Sequence, residues 1–400
     1  MLPRVKIIFE NGALGGVAPS ADGVVGLVST AVAVAGKFAL ATPYTLRKLD
    51  DLLALGVTAA TTDANAHLYR HVKEFYDEAG IGAKLWIMGF PNTDKPSDLV
   101  DQTKDTAKKL ILASQGEIRA LGVVFKPATG YTPTITNGLD GDVTVAMLKA
   151  QTLADWATDT MFAPLFVLLE ARGYAGTPTA LANLSTNSYN RVGVLLGDTS
   201  SGSTGAAIGL LLGRIARIPV QRHIGRVRDT AIKTLMAYVG SVPAELADVE
   251  TINEKGFITF RTFVGKAGYF FSDDSLATAP SDDYRSIARR STIDKAARIA
   301  YQTMLENVNN EVPITEEGTI VPAIAKSIEA EMIAAIISQM GAEGNLGTDP
   351  NNPDDKGVLC EIDLTTNIAA TNKLVMSLKV KPYGYAKYID VKLGFITINQ

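Results

Sequence analysis

Three short motifs contain the residues whose type and spacing could bind a nucleotide or a metal. Residues 197–204 (GDTSSGST) follow a predicted strand and have the glycine spacing of a phosphate-binding loop, but Ser203 stands where such a loop needs lysine. Residues 12–16 (GALGG) lack the spacing of a dinucleotide-binding loop, which favours a flexible hinge. Neither motif predicts a nucleotide site.

The histidines and the aspartate pairs are the other candidates for chemistry. His67 and His71 lie four residues apart on a predicted helix, a spacing that can chelate a metal. The residues between them lack the glutamate of the H-E-x-x-H motif, and His223 is distant in sequence, so a polar pair at a helix boundary is favoured over a metal site. The aspartate pairs at 273–274 and 282–283 flank a predicted helix start, where carboxylates oppose the helix dipole. These patterns predict no cofactor and no metal.

Composition limits the possible partners. The chain has 400 residues, 46% of them hydrophobic, which is enough for a large core and more than one domain. The net charge of −4 gives no basic excess for binding nucleic acid or an anionic membrane. Cys360 is the single cysteine, which excludes a disulfide framework and fits assembly in a reducing cytoplasm.

The sequence also predicts neither an export signal nor a membrane span. The apolar stretch that follows Arg4 and Lys6 is interrupted by Glu10, which a signal peptide would not tolerate. The longest uncharged apolar run, residues 23–36, is shorter than the roughly 20 residues that a membrane-spanning helix needs. No membrane insertion is therefore expected.

The elements that would position these residues alternate between helices and apolar strands. Helices are predicted over residues 43–56, 65–79, 97–114 and 142–161, and strands over 84–90, 120–125, 165–170 and 192–197. Strands such as FVLLE and VGVLL are apolar throughout, as in a sheet that helices cover on both faces. The predicted fold class is α/β, with a mainly parallel sheet layer and flanking helices.

The C-terminal third has a different pattern, typical of an α+β unit. A hairpin is predicted over residues 256–271, helices over 283–307 and 322–340, and strands over 358–364, 373–381 and 388–398. The second helix has one apolar stripe, formed by Ile324, Ile328, Met332, Ile336 and Met340.

Both ends of the chain read as β-strands without an adjacent hairpin partner. Such strands leave unpaired backbone groups that invite pairing with another chain, although both ends could instead join the protein's own sheet. The predicted inter-subunit strand residues are Arg4, Val5, Lys6, Ile7, Ile8, Phe9, Tyr388, Ile389, Val391, Leu393, Phe395, Ile396 and Ile398. Gly12, Gly15 and Gly16 form a predicted hinge next to the N-terminal arm.

Four segments, in order along the chain, resemble the contractile-tail sheath family. They are residues 23–56, 67–90, 205–225 and 379–395. The positions that match family patterns include Gly36, Pro43, Gly56, Phe75, Tyr76, Gly80, Ala206, Ala207, Gly209, Arg214, Pro382, Ala386, Tyr388 and Ile389. By this resemblance, the chain is identified as a divergent and compact member of the family.

The resemblance implies a structural protein and not an enzyme. Sheath subunits polymerise helically around an inner tube, exchange terminal strands with neighbouring subunits, and contract to drive the tube through a target membrane. The implied partners are other copies of the chain, the inner tube protein, and baseplate and tail terminator proteins. The implied location is a virion tail or a contractile injection particle that is assembled in the bacterial cytoplasm.

The expected domains are an N-terminal arm and glycine hinge (1–22), an α/β domain (23–255), a C-terminal α+β sheath core with exchanged terminal strands (256–386), and a C-terminal strand arm (387–400). The resemblance also points to the last long helix as the surface that faces the tube. Its candidates are Lys326, Glu329 and Glu331, predicted to lie off the apolar stripe. The alternatives are another assembly protein of a tail or injection system, and an α/β enzyme with an unrecognised site.

Overall fold

A computed structural model describes residues 21–394 and divides the chain into two compact units, Met1–Tyr301 and Gln302–Gln400. Its strands are β1 (Val25–Thr30), β2 (Tyr44–Leu46), β3 (Leu85–Phe90), β4 (Ala120–Val124), β5 (Ile135–Thr136), β6 (Leu139–Asp140), β7 (Phe166–Glu170), β8 (Ser188–Tyr189), β9 (Val192–Leu195), β10 (Tyr238–Val239), β11 (Val242–Pro243), β12 (Phe260–Phe263), β13 (Lys266–Phe271), β14 (Ala277–Thr278), β15 (Val358–Ile362) and β16 (Met376–Val380). Its α-helices are α1 (Leu49–Ala54), α2 (Asp63–Ala79), α3 (Pro96–Leu99), α4 (Ala107–Ala113), α5 (Asp142–Asp159), α6 (Ile208–Arg217), α7 (Val249–Glu254), α8 (Ile287–Leu305), α9 (Pro322–Ile336) and α10 (Ile368–Thr371).

The first unit is built on a six-stranded sheet in the order β2-β3-β1-β4-β7-β9. Strands β3, β1, β4, β7 and β9 are parallel, and β2 is antiparallel to β3 at one edge. Every residue of β1, β4, β7 and β9 is buried, as strands of a sheet covered on both faces must be. The predicted α/β layer with a mainly parallel sheet is therefore confirmed.

Helices cover both faces of this sheet. One face packs against α2 and α6 through residues such as Leu68, Val72 and Leu211. The opposite face packs against α3, α4 and α5, for which Leu110 and Leu153 are representative. Because each face of the sheet packs into a hydrophobic core of its own, the strands can be apolar at every position.

Two glycines let α2 and α6 approach backbone to backbone. A Cβ atom at Gly209 would lie well inside van der Waals contact with the carbonyl oxygen of His71, and one at Gly213 would lie 2.8 Å from that of Phe75. Neither position tolerates a side chain unless the two helices separate, so this packing depends on glycine at both places.

The helix predicted over residues 43–56 is only partly correct. Its first part, Tyr44–Leu46, is the edge strand β2, and the helix begins at Leu49. Asp51 explains the late start, because its carboxylate accepts hydrogen bonds from the backbone N–H groups of Arg47 (2.7 Å) and Lys48 (3.1 Å). The predicted end is right, since Gly56 follows with φ of 76°.

The single helix predicted over residues 97–114 is wrong. The structure has two short helices, α3 and α4, with a turn between them. Asp101 Oδ1 accepts hydrogen bonds from the backbone N–H (2.9 Å) and the hydroxyl (2.6 Å) of Thr103, so an Asx turn replaces the helical hydrogen bonds at this point.

The second unit contains α9, α10 and a two-stranded antiparallel sheet of β15 and β16. The predicted stripe on α9 is confirmed, since Met332, Ile336 and Met340 are buried and the others are partly buried. The helix predicted to start at residue 283 begins instead at Ile287, because Asp282 forms a turn by accepting the Tyr284 N–H at 2.7 Å. Within the part of the chain that the structure describes, each helix lacks the length or the apolar run that crossing a bilayer requires.

Candidate functional site

A cluster of charged side chains lies at the carboxyl ends of the parallel strands, the edge at which α/β sheets bind ligands. Arg70 of α2 forms an ion pair with Asp198, which follows β9 (Nη2 to Oδ2, 3.1 Å). The hydroxyl of Thr199 donates to Glu74 Oε1 at 2.5 Å, and burial raises the pKa of Glu74 to about 7. Sequence reasoning missed this cluster because its members are far apart along the chain.

His67 and His71 belong to this cluster, and their Nε2 atoms are 3.2 Å apart. With Glu170 they place three potential ligand atoms within 4.8 Å of one another. However, His71 Nδ1 accepts the backbone N–H of Gly209 at 3.2 Å, and the cationic guanidinium of Arg70 places Nη2 3.3 Å from His71 Nε2, so neither ring nitrogen of His71 is open to a cation. Burial lowers the pKa of His67 to about 3 and that of His71 well below its usual value. The geometry favours a hydrogen bond between neutral rings over a metal.

The loop over residues 197–204 is held by its own hydrogen bonds. The Ser203 hydroxyl donates to the Asp198 carboxylate. Glu170, at the end of β7, accepts the backbone N–H of Ala206 at 3.0 Å, directly after the loop. Asp198 is paired with Arg70 and Glu170 with Arg172, so the polar groups around this loop bind one another in place of a phosphate.

A second polar group joins residues that the sequence analysis treated separately. His223 Nε2 lies 2.9 Å from Asp273 Oδ1 and 3.2 Å from Asp274 Oδ1. Burial opposes its charged form, but hydrogen bonds to the two carboxylates raise the pKa of His223 to about 9. Asp274 also accepts the Ala288 N–H in the first turn of α8 at 3.2 Å, the helix-start role predicted for this aspartate pair. These hydrogen bonds connect the loop that contains His223 to the first turn of α8.

The two-stranded sheet of the second unit exposes one face. Cys360 and Ile362 are buried, whereas Leu359 and Lys379 on the alternate positions are exposed. Within residues 302–394 neither β15 nor β16 has a second strand partner. Among these residues, both edges of the sheet therefore lack a strand partner.

The predicted C-terminal arm is described only as far as Gly394. Tyr388, Ile389, Val391 and Leu393 are 76% to 96% exposed and belong to no strand of this chain. The predicted N-terminal strand residues (Arg4, Val5, Lys6, Ile7, Ile8 and Phe9), the hinge glycines (Gly12, Gly15 and Gly16), and Phe395, Ile396 and Ile398 lie outside the described residues. Pairing between subunits stays a prediction.

The three charges predicted on the outer faces of α9 differ in their surroundings. The Lys326 side chain is 71% exposed, and Glu331 is exposed with Asn307 Nδ2 donating to it at 3.4 Å. Glu329 is buried, so its predicted placement on an exposed face is corrected. It lies three residues before Met332, a spacing that turns it towards β15, where it accepts the backbone N–H of Ile362 at 2.8 Å.

Several solved structures with this architecture come from sheath or baseplate proteins. A chain of the anti-feeding prophage baseplate, 6-fold symmetrised, is 14% identical, with 99% of each chain covered and a TM-score of 0.64. The anti-feeding prophage helical sheath in the contracted state is also 14% identical, with 98% of this chain and 99% of that chain covered and a TM-score of 0.64. A sheath tail protein from Desulfitobacterium hafniense is 10% identical, with 94% and 100% covered and a TM-score of 0.50.

These likenesses define the class: the chain has the fold of contractile sheath proteins, which confirms the resemblance seen in its sequence. No curated protein matches the chain in sequence. The pattern of DUF2586, N-terminal domain, matches residues 2–275, and that of DUF2586, C-terminal domain, matches residues 283–399. The protein belongs to the DUF2586 family.

Proposed function

We propose that this protein is the sheath subunit of a contractile tail or injection particle, a structural and non-enzymatic component. In this role it polymerises helically around an inner tube and contracts to drive the tube through a target membrane. Its partners would be other copies of itself, the tube protein, and baseplate and tail terminator proteins. The particle would be assembled in the bacterial cytoplasm.

The observation that supports this proposal is that the structural similarity to a known sheath protein extends over almost the full length of both chains. The anti-feeding prophage helical sheath matches 98% of this chain and is itself covered to 99%. Both units of the present chain therefore have counterparts in a protein that forms a helical, contracting polymer. The charged cluster beside β9 gives no support to an enzymatic alternative, because Arg70 and Asp198 form an ion pair and Thr199 donates to Glu74.

Strand exchange is the contact by which we propose that the subunits join. The sheet of β15 and β16 has edges without a strand partner in the described part of the second unit, and the segment from Tyr388 to Leu393 exposes four large apolar side chains. An extended segment that adds to an exposed sheet edge gains main-chain hydrogen bonds and side-chain contacts together. The N-terminal strand would add to a neighbour in the same way.

Electron microscopy of the purified protein tests the proposed function. Negative staining after incubation at high protein concentration is expected to show hollow cylinders or stacked rings. Sedimentation should show that the polymer forms in a concentration-dependent manner. A small, closed oligomer under all conditions of pH, salt and concentration would contradict the sheath assignment.

We predict that Gly15 and Gly16 act as the hinge that keeps the N-terminal arm bound while the body of the subunit rotates. Rigid-body motion concentrates its φ/ψ changes on a few residues, and proline removes that freedom. The variant G15P/G16P is expected to assemble in one state and fail to contract, whereas G15A/G16A should still contract, as measured by cylinder length and diameter in micrographs. Normal contraction of the proline variant would place the hinge elsewhere.

We also predict that the two exposed charges of α9, Lys326 and Glu331, face the inner tube. Exposed charges at an interface affect orientation and specificity more than affinity, which suits a contact that must release during contraction. Glu331→Lys is expected to leave tube-free polymers intact and to reduce co-sedimentation with the tube protein severalfold. Unchanged co-sedimentation would remove Glu331 from the tube contact.

A further inference from the structure

Hydrogen bonds within the β15–β16 sheet determine which backbone amides face its outer edges. The Asp363 N–H donates to the Val375 carbonyl at 2.9 Å, and the Lys381 N–H donates to the Gly357 carbonyl at 2.8 Å. In an antiparallel pair, residues that face the partner strand alternate with residues that face away. The residues of β15 whose amides face away from β16 are therefore Val358, Cys360 and Ile362.

One of these outward-facing amides already has a side-chain partner. Glu329 Oε1 accepts the Ile362 N–H at 2.8 Å, and Oε2 accepts a hydrogen bond from Lys326 Nζ at 2.6 Å. Glu329 is 6% exposed, whereas the side chain of Lys326 is 71% exposed. Because the acceptor is ionised, this bond is stronger than one to a neutral oxygen. A strand that added to the outer edge of β15 would have to break the hydrogen bond between the Ile362 amide and the Glu329 carboxylate and bind the amide itself.

The opposite edge of the sheet is different. By the same alternation, the amides of Met376, Leu378 and Val380 face away from β15. Within residues 302–394 this outer edge of β16 has neither a strand partner nor a carboxylate bound to it. The sheet thus has one open edge and one edge held by a side chain.

We infer that Glu329 is an edge latch, which covers the outer edge of β15 until a strand from a second copy of this chain displaces it. This inference rests on the proposed function, in which neighbouring copies add strands to this sheet. Proteins protect exposed edge strands from unwanted pairing with charged side chains. Lys326 holds the second carboxylate oxygen and so keeps the latch oriented. Free subunits would then pair first at the open edge of β16.

The latch can be tested in the monomer by hydrogen exchange at the Ile362 amide. Glu329→Gln keeps the shape and an acceptor oxygen but loses the charge and the ion pair with Lys326. Glu316→Gln, the matched control, makes the same chemical change at an exposed position in the turn before α9. The Ile362 amide is expected to exchange about 10-fold faster in E329Q, the rate change that corresponds to a loss of 1.4 kcal/mol of protection, and at the wild-type rate in E316Q. Equal exchange in E329Q and wild type would overturn the latch.

Strand addition is tested with a synthetic peptide of residues 388–400, whose binding to the monomer is measured by fluorescence anisotropy. E329Q is expected to bind the peptide severalfold more tightly than wild type, Lys326→Met to fall between them, and E316Q to match wild type. Equal or weaker binding by a folded E329Q overturns the latch, even if wild type forms cylinders. Wild type that binds the peptide but never forms cylinders contradicts the sheath assignment, and the comparison with E329Q still decides the latch.

Discussion

Removal of residues 396–400 is expected to leave a folded monomer that no longer polymerises. We propose that these residues complete a strand that pairs with a neighbouring subunit through several backbone hydrogen bonds, each worth on the order of 1 kcal/mol net. Loss of this strand would remove a large share of the contact between subunits. Sedimentation velocity and negative-stain microscopy measure assembly, and thermal unfolding measures the integrity of the monomer.

A matched control separates backbone pairing from side-chain contacts at this end. The variant N399A/Q400A keeps the chain length and every backbone amide, so it should assemble as wild type does. A truncated protein that still forms cylinders would show that the C-terminal strand is not needed for polymerisation. An unchanged melting temperature in the truncated protein is expected, since residues 388–394 are largely exposed.

Substitution of Gly209 is expected to destabilise the first unit severely. A Cβ atom at this position would overlap the carbonyl oxygen of His71, so α6 would have to move away from α2. Alanine should cost about 3 kcal/mol, the upper part of the range for overpacking, despite its better helix propensity. Valine is expected to prevent stable folding of this unit. Denaturant unfolding followed by circular dichroism measures both effects.

The control for this prediction is a glycine in helical backbone with room beside it. At Gly341, in the last turn after α9, a Cβ atom would lie 3.6 Å from its nearest neighbour, Ile337, which is ordinary contact. Gly341→Ala should therefore leave stability unchanged or raise it slightly. If Gly209→Ala were as stable as Gly341→Ala, α2 and α6 would not pack as closely as the structure places them.

Much of the fold could be predicted from local patterns. Apolar strands such as β7 and β9, together with helices earlier in the chain that end at Gly56 and Gly80, were enough to predict a parallel sheet covered on both faces. The errors occurred where a polar side chain competes with the helix. Asp101 forms a turn inside an otherwise helical pattern, and this local hydrogen bond outweighs propensity.

The polar groups could be predicted only in part. The four-residue spacing of His67 and His71 placed their rings together, as the 3.2 Å distance between the Nε2 atoms shows. The ion pair of Arg70 with Asp198 joins residues more than a hundred positions apart, and no sequence pattern indicates it. Glu329 was predicted to lie off the apolar stripe among the tube-facing candidates, whereas it is buried and the amide of Ile362 compensates for that burial.

The sequence by itself determined the class of protein. The hydrophobic periods of the strands and helices, the glycines that end the helices, and the order of the segments that resemble the sheath family can all be read from residues that are neighbours along the chain. Only the tertiary structure decided what the polar residues do. Hydrogen bonds between distant segments neutralise the charged cluster at the sheet edge and attach Glu329 to β15. The physical reason is that the energy of a buried charge depends on the partners folding brings to it, and periodicity carries no information about those partners.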